Sequence, residues 1–167
     1  MPSMNDTDLL RRVEALEARL REVEDRAAIL DLIARYGPAV DTCNGEAVRD
    51  LFADDGTYEL EGWFFTHETM DQTVTTDLHE RYVAVGSSHV MSLPTIELHG
   101  DEAVAINYSR VFIARDDQWI VDRCAANRWD LTRTPSGWKV KRRVNRLLQG
   151  TPASHELLAG EVPPPVR

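Results

Sequence analysis

Three residues of this sequence have side chains that can transfer protons: Tyr36, Asp41 and His89. Tyr36 and Asp41 bracket the end of a helical stretch, and His89 begins a strand-like stretch on the face shared by Met91 and Leu93. A neutral imidazole can remove a proton from carbon, and a carboxylate beside it fixes the tautomer and stabilises the imidazolium. The three residues are therefore candidates for a proton-transfer site.

Each of these residues also has a purely structural interpretation. An interior histidine is most often a hydrogen-bonded core residue. Asp41 could cap the turn after Pro38, and Tyr36 could leave its hydroxyl in water. Asp54 and Asp55 look like paired catalytic carboxylates, but the turn preference of aspartate favours a structural role. Sequence alone leaves these alternatives open.

A long helix precedes the predicted site, from Asp6 to about Arg35. Its apolar residues are separated alternately by four and three positions. They are Leu9, Val13, Leu16, Leu20, Val23, Ala27 and Leu30. This stripe is typical of an arm that packs on a neighbouring subunit or on its own sheet, and a long surface helix is the alternative. The helix is expected to stop near Gly37-Pro38, because proline disfavours helical geometry in the residue before it.

Two shorter helices and a strand are predicted next. Asn44 is placed to cap the second helix. Residues 53–56 are expected to turn the chain into a strand at 57–61. A third helix is expected at about 70–85, although it includes the weak helix formers of 73–76.

Beyond Gly86 the apolar period changes to two, which predicts four strands joined by compact polar turns. They span about 87–98, 102–114, 118–133 and 138–149. Long antiparallel strands coil, and helices on one face close the concave side. We therefore predict the α+β class: a cone-shaped α+β barrel with a strongly curved, mostly antiparallel sheet and about three helices closing a central pocket.

Length and charge restrict the organisation and the partners. The 167 residues fit one domain, and the net charge of −9 argues against nucleic acid. We expect a helical extension at 1–25, the α+β domain at 26–150 and an extended or disordered tail at 151–167, which contains Pro163-Pro164-Pro165. No targeting segment or apolar run of about 20 residues is visible, which predicts no membrane contact and a cytoplasmic protein. Neither metal-ligand spacing nor a phosphate loop occurs, so no metal or other cofactor is predicted.

Several motifs, taken in order, resemble SnoaL-like proteins of the nuclear transport factor 2-like superfamily. The motifs are Arg35-Tyr36, Asp41, the run from Leu51 to Glu59, Ser88-His89, the run from Pro94 to Asp101, Arg128-Trp129-Asp130, Gly137-Trp138-Lys139-Val140 and Arg143. The resemblance covers about residues 25–149 and implies the cone-shaped fold. Within the superfamily, the chain is most similar to the scytalone dehydratase and hexachlorocyclohexane dehydrochlorinase type.

That resemblance implies roles for four residues. Asp41 matches the aspartate that orients the base, His89 the base itself, and Arg143 the arginine that faces a leaving anion. Tyr36 is similar to the steroid isomerase tyrosine that donates to an enolate oxygen, whereas the aspartate base of those isomerases would fall near Leu60.

The assignment of the arginine depends on the geometry of the last strand. Strict alternation from Trp138 places Arg143 on the opposite face. Only a bulge or a strand buried on both faces would bring both side chains inward. Otherwise Arg142 is the candidate.

The predicted function is a cofactor-independent lyase of the dehydratase type, or an isomerase, acting on a small, largely apolar, oxygenated cyclic or polyketide-like substrate. One alternative is polyketide cyclase-like ring closure with Asp130 as the base. Another is a non-catalytic small-molecule-binding or assembly module, and we expect a homo-oligomer, a dimer or a trimer. Plausible apolar walls are Trp63, Phe64, Phe65, Met91, Phe112, Trp119 and Trp129. The other histidines are weaker candidates for catalysis: His67, His79, His99 and His155.

Overall fold

The computed structural model describes residues 6–161, which form five helices and one seven-stranded sheet. The elements in chain order are α1 (Asp6–Asp41), α2 (Gly45–Arg49), β1 (Phe52–Leu60), β2 (Trp63–Thr66), a 3₁₀ helix (His67–Val74), α3 (Asp77–Val85), β3 (Ser87–Met91), β4 (Thr95–His99), β5 (Glu102–Arg115), β6 (Gln118–Thr134), β7 (Gly137–Leu147) and α4 (Pro152–Leu158).

The sheet has the strand order β2-β1-β7-β6-β5-β3, and β4 pairs with β5 beside β3. Only the β1–β7 pair among these neighbours is parallel. The predicted α+β class and the curved, mostly antiparallel sheet are confirmed, and the sheet stays open because its outer strands β2 and β3 are not neighbours. Helix α1 covers the concave side and buries its last turns against the core.

Helix α1 continues to Asp41, so the expected stop at Gly37-Pro38 is wrong. A proline inside a helix removes a hydrogen bond and costs about 3 kcal/mol. Burial of the helix end offsets this cost, since Tyr36 and Val40 on either side of Pro38 lie in the core. Beyond the proline, the amide of Thr42 donates to the carbonyl of Pro38 over 3.1 Å.

Gly37 allows α1 to touch strand β3. A Cβ atom at this position would lie 2.2 Å from the carbonyl oxygen of His89, much closer than any real contact. Only glycine therefore permits this approach, which brings the end of α1, and with it Asp41, beside His89.

Four local expectations are corrected in the region between α2 and β5. Residues 53–56 belong to β1, where the pairing with β7 is irregular between Phe52 and Thr57, instead of forming a turn. Strand β2 was not expected. The predicted third helix is two helices, and the side chain of Thr76 caps the second of them. The first predicted long strand is divided into β3 and β4. As expected, Asn44 caps α2 by accepting a hydrogen bond from the amide of Ala47.

The tail forms a helix where an extended or disordered strap was expected. Helix α4 begins with Pro152, a favourable first-turn residue, and buries Leu157 against Ala126 and Val144 on the outer face of the sheet. The run Pro163-Pro164-Pro165 lies outside the described residues.

The apolar stripe on the first part of α1 is exposed. The side chains of Leu9, Val13, Leu16, Leu20, Val23 and Leu30 are between 37% and 63% exposed. Helix α1 contacts the sheet through Asp25 and Arg26. Asp25 accepts hydrogen bonds from Arg133 and Trp138, and Arg26 donates to the carbonyl of Ile96. The expected boundary at residue 25 thus lies inside α1, where the helix reaches the sheet. Across residues 6–161, no helix has the length and apolar character needed to cross a membrane.

Candidate active site

The structure brings Asp41 and His89 into contact at the junction of α1 and β3. Nδ1 of His89 lies 2.6 Å from Oδ1 of Asp41, and the backbone amide of His89 donates to Oδ2 over 2.7 Å. The hydroxyl of Ser87 adds a hydrogen bond of 3.2 Å to Oδ1. The His89 side chain is only 7% exposed, so its ring is held inside the protein.

These contacts determine the charge of Asp41. Burial alone would raise the pKa of this carboxyl group, but the hydrogen bonds from His89 and Ser87 outweigh burial and hold the pKa below its ordinary value. Asp41 is therefore a carboxylate that accepts the Nδ1 proton of His89. A neutral His89 ring held in this tautomer has its lone pair on Nε2, the atom free to act as a base.

Two adjacent cavities lie beside this pair. The outer cavity has a volume of about 170 Å³ and the inner one about 50 Å³. Both are lined by Leu60, Thr73, His79, His89 and Arg123. A small molecule that enters the outer cavity would therefore meet the imidazole of His89.

Arg143 lies in the inner cavity and is held by aromatic rings. Its guanidinium carbon is 3.9 Å from the ring centroid of Tyr36, 4.0 Å from that of Trp129 and 4.4 Å from that of Tyr58. Nε and Nη2 donate to Oδ1 of Asn127. Nη1 has no hydrogen-bond partner among the described residues, although the side chain is 1% exposed. A buried donor of this kind is poised to bind an oxygen or anion in the cavity.

A β-bulge turns Arg143 inward. Arg142 pairs with Asp130 and Val140 with Leu131, so β7 contains one extra residue at this point. Trp138 and Arg143 are consequently both buried, as the bulge alternative required. Arg142 instead donates to the carboxylate of Glu59.

Tyr36 is buried beside a second tyrosine that the sequence did not single out. Its ring packs edge-on against Tyr58, with centroids 6.3 Å apart. Burial raises the pKa of Tyr58, which keeps this phenol protonated. The alternative in which the hydroxyl of Tyr36 lies in water is wrong, because Tyr36 is 5% exposed and lines the inner cavity.

His79 also belongs to this site, although it was a weak candidate from the sequence. Its ring centroid lies 5.7 Å from that of His89, and its Nε2 is 2.9 Å from the carbonyl oxygen of Val40. Burial lowers the pKa of His79. The ring is therefore a neutral donor that ties α3 to the end of α1. Helical spacing alone does not reveal it, since the preceding threonines obscure where α3 begins.

Other candidates lie away from the cavities. Asp130 accepts a hydrogen bond from Arg128 over 2.8 Å and lies on the face opposite Trp129, so it cannot act on a ligand beside His89. Asp54 and Asp55 are exposed on β1. Of the predicted apolar walls, Trp63 and Phe65 line the outer cavity and Met91 the inner one. Within residues 6–161, no three acidic, histidine or cysteine side chains are grouped to hold a metal ion.

Comparison with known proteins identifies the family. The SnoaL-like domain family matches residues 21–144. The crystal structure of an NTF2-like protein with a cystatin-like fold from Novosphingobium aromaticivorans is 35% identical, covers 94% of this chain and 99% of its own, and superposes with a TM-score of 0.83. No curated protein matches the chain.

Two further solved structures are similar in fold. One is a putative aromatic ring hydroxylase from N. aromaticivorans, with 24% identity, coverage of 76% of this chain and 91% of its own, and a TM-score of 0.59. The other is a Catenulispora acidiphila protein in complex with S-DNPA, with 24% identity, coverage of 76% and 96%, and a TM-score of 0.64. The matched family, which spans most of the chain, and the similar structures lead to one conclusion: the protein belongs to the SnoaL-like family and has the NTF2-like, cystatin-like fold.

Proposed function

We propose that this protein is a cofactor-independent lyase of the dehydratase type, or an isomerase, with His89 as its general base. The observation that carries the proposal is the 2.6 Å contact between Nδ1 of His89 and the carboxylate of Asp41 beside a cavity. Such an arrangement leaves Nε2 as a base, and positioned proton transfer contributes about 10²–10⁴ in rate.

The proposed reaction begins with removal of a proton from a carbon next to a carbonyl group. The electron pair of the broken C–H bond forms an enolate, and the proton goes to Nε2 of His89. Asp41 stabilises the imidazolium, while Nη1 of Arg143 and the hydroxyl of Tyr36 donate to the enolate oxygen. In dehydration, the enolate re-forms the carbonyl, a C=C bond forms, and the β-hydroxyl leaves as water with the proton from His89. In isomerisation, the imidazolium returns its proton to a different carbon.

The walls of the outer cavity support a small, largely apolar substrate with a cyclic or polyketide-like skeleton. Leu60, Trp63, Phe65 and Leu78 provide apolar surface, and His79, His89 and Arg123 are among the residues that provide polar groups. The similar C. acidiphila protein, crystallised in complex with S-DNPA, is consistent with a binding cavity in this fold. Cyclase-like ring closure with Asp130 as the base is not supported, because Asp130 lies on the outer face.

Exchange of carbon-bound hydrogen with deuterium from the solvent tests the proposal, and it does not require that the natural substrate be known. A panel of small cyclic ketones and β-hydroxy carbonyl compounds is incubated with the protein in deuterium oxide and followed by proton NMR and mass spectrometry. We expect deuterium to enter the carbon next to the carbonyl faster than in protein-free solution for at least one compound, with loss of water where a β-hydroxyl is present. A panel in which no compound exchanges faster with the protein contradicts the proposal.

We also propose that the chain assembles as a homo-oligomer through the exposed stripe of α1. The stripe repeats every seven residues and is exposed in the single chain, which suits packing against a second copy of the helix. Replacing Leu16 and Leu20 together by glutamate should lower the subunit count measured by light scattering, as should deletion of residues 1–25.

Arg21→Glu is the matched control for this assembly. It changes the net charge by the same two units at an exposed position outside the stripe, and its subunit count should equal that of the wild type. A monomeric wild type, or a double glutamate variant with an unchanged subunit count, would rule out assembly through the stripe.

A further inference from the structure

Arg123 is a cation in the cavity that has no counter-ion among the described residues. Its side chain is half-buried and lines both the outer and the inner cavity. Among residues 6–161 it forms no hydrogen bond and no ion pair. A free guanidinium facing a cavity is unusual in a chain of net charge −9, where carboxylates are plentiful. Its position suits an anion that residues 6–161 do not supply.

Neighbouring carboxylates are engaged elsewhere. Glu61, which lines the outer cavity, accepts a hydrogen bond from the backbone amide of Leu147 over 2.7 Å. Asp41 is held by His89. Asp122, the residue before Arg123, accepts a hydrogen bond from the hydroxyl of Tyr82 over 2.5 Å. None of these residues forms an ion pair with Arg123 in the part of the chain that the structure describes.

A second β-bulge lies next to Arg123. Val111 on β5 pairs with Arg123 and Phe112 pairs with Val121, so Asp122 is the extra residue on β6. Beyond the bulge, Arg123 shares the cavity face with Ala125, which also lines the inner cavity. The bulge reverses the alternation only for the residues before Arg123, and from Arg123 to Trp129 the alternation is regular, so the cation faces the cavity.

The sheet also places Arg123 in one row with the proposed base. His89 on β3 pairs with Val111, and Val111 pairs with Arg123. Neighbouring strands are separated by about 4.8 Å, so the backbones of His89 and Arg123 are about 10 Å apart. A small molecule whose charged end is bound by the long arginine side chain therefore has its remaining atoms beside the imidazole.

The charge of Arg123 extends over the same cavity. It adds to the effect of burial in lowering the pKa of His79, and it opposes the rise in the pKa of Tyr58 and Tyr82 that burial causes. An anionic ligand would thus enter a region of positive potential. Arg143 contributes a second positive charge in the inner cavity.

We propose that Arg123 binds a permanent anionic group of the ligand, a carboxylate or a group of equivalent charge and shape, so that the substrate is an organic acid. The proposal rests on the proposed function only in taking this cavity as the substrate site. Arg123 then determines specificity by charge, while Arg143 and Tyr36 remain available to the carbonyl oxygen. A guanidinium can bind a carboxylate through two parallel hydrogen bonds.

Fluorine NMR titrations with 4-fluorobenzoate and 4-fluorobenzamide test this inference. The two probes share a ring and differ in charge. We expect the wild type to bind the benzoate about tenfold or more tightly than the amide, as a charge-assisted hydrogen bond predicts. Arg123→Gln should remove this preference, whereas Arg123→Lys should keep part of it, because lysine retains the charge but not the fork of donors.

Two controls separate the possible causes. Arg110→Gln removes one positive charge from an exposed position on the opposite face of β5, and should leave the preference unchanged. His99→Ala, which removes an exposed titratable side chain at the end of β4, should also keep it. The titration measures binding alone and needs no proton transfer. If the exchange experiment fails, the preference for the benzoate can still be observed. If the preference is absent, the exchange experiment can still succeed, so the two proposals fail separately.

Three results would overturn the inference. They are a wild type without preference for the benzoate, an Arg123→Gln variant that retains the preference, and an equal loss in Arg110→Gln. If Arg143→Gln removes the preference while Arg123→Gln retains it, the anion site is Arg143 and the inference is wrong.

Discussion

Replacing His89 by alanine is expected to lower the rate of deuterium exchange and of turnover by about 10²–10⁴-fold, the contribution of a positioned general base. The physical reason is that His89 supplies a lone pair at the cavity, held in position by two hydrogen bonds to Asp41. His79 cannot replace it, since Nε2 of that ring is committed to the carbonyl of Val40. Initial rates at equal concentrations of folded protein measure the effect.

Two further variants make this loss interpretable. His89→Gln keeps a polar side chain but has no titratable lone pair, so its rate should fall as far as that of His89→Ala. His99→Ala removes an exposed histidine at the end of β4 and should exchange at the wild-type rate. Thermal unfolding of each variant verifies that the protein is folded. A His89→Ala protein that is folded and exchanges within a few-fold of the wild type would refute the assignment of the base.

The meeting of Asp41 and His89 could be predicted because it follows from the order of the elements. The residues lie at the end of one helix and the start of one strand, and the resemblance to SnoaL-like proteins places those ends together. The precise approach depends on Gly37, whose missing side chain admits the carbonyl of His89. Nothing in the local sequence shows that this glycine faces β3, since the adjacent Pro38 indicates a helix stop.

The two cavity arginines could not be assigned from the sequence, for two different reasons. For Arg143, the bulge was one of two alternatives, and the pairing of β7 with β6 decides between Arg142 and Arg143. A bulge is a property of two paired strands, so it becomes visible only when both are placed. For Arg123, alternation from Trp129 gives the inward face, but nothing in the sequence shows that the carboxylates around it have other partners.

His79 was missed for a different physical reason. The weak helix formers before it suggested one uncertain helix, whereas the chain forms a 3₁₀ helix and then restarts at α3, with Thr76 as the cap. The side chain of His79 reaches the core only because α3 packs over the end of α1, where the carbonyl of Val40 accepts its proton. Tertiary packing of this kind overrides local propensity.

Asp41→Asn should lower turnover by a similar factor, about 10²–10⁴, while leaving the shape of the cavity unchanged. The carboxylate accepts the Nδ1 proton of His89, whereas an asparagine in the same position can offer its amide N–H to Nδ1. The imidazole would then carry its proton on Nε2, turning a donor instead of a base toward the cavity. The same tautomer argument explains the large loss in serine proteases when the triad aspartate becomes asparagine. Exchange rates in deuterium oxide measure the loss.

The stability of Asp41→Asn adds an independent test of the charge of Asp41. Because the pKa of this carboxyl group is lower in the folded than in the unfolded protein, the ionised group stabilises the fold above its ordinary pKa. That contribution is lost as the pH falls through the folded pKa. Urea unfolding should therefore show a wild type that is more stable than Asp41→Asn from neutral pH down to about pH 4, with a difference that shrinks below it. A difference that stays constant on acidification, or that grows, would show that Asp41 is not held as a carboxylate, and His89 would then lack the partner that makes it a base.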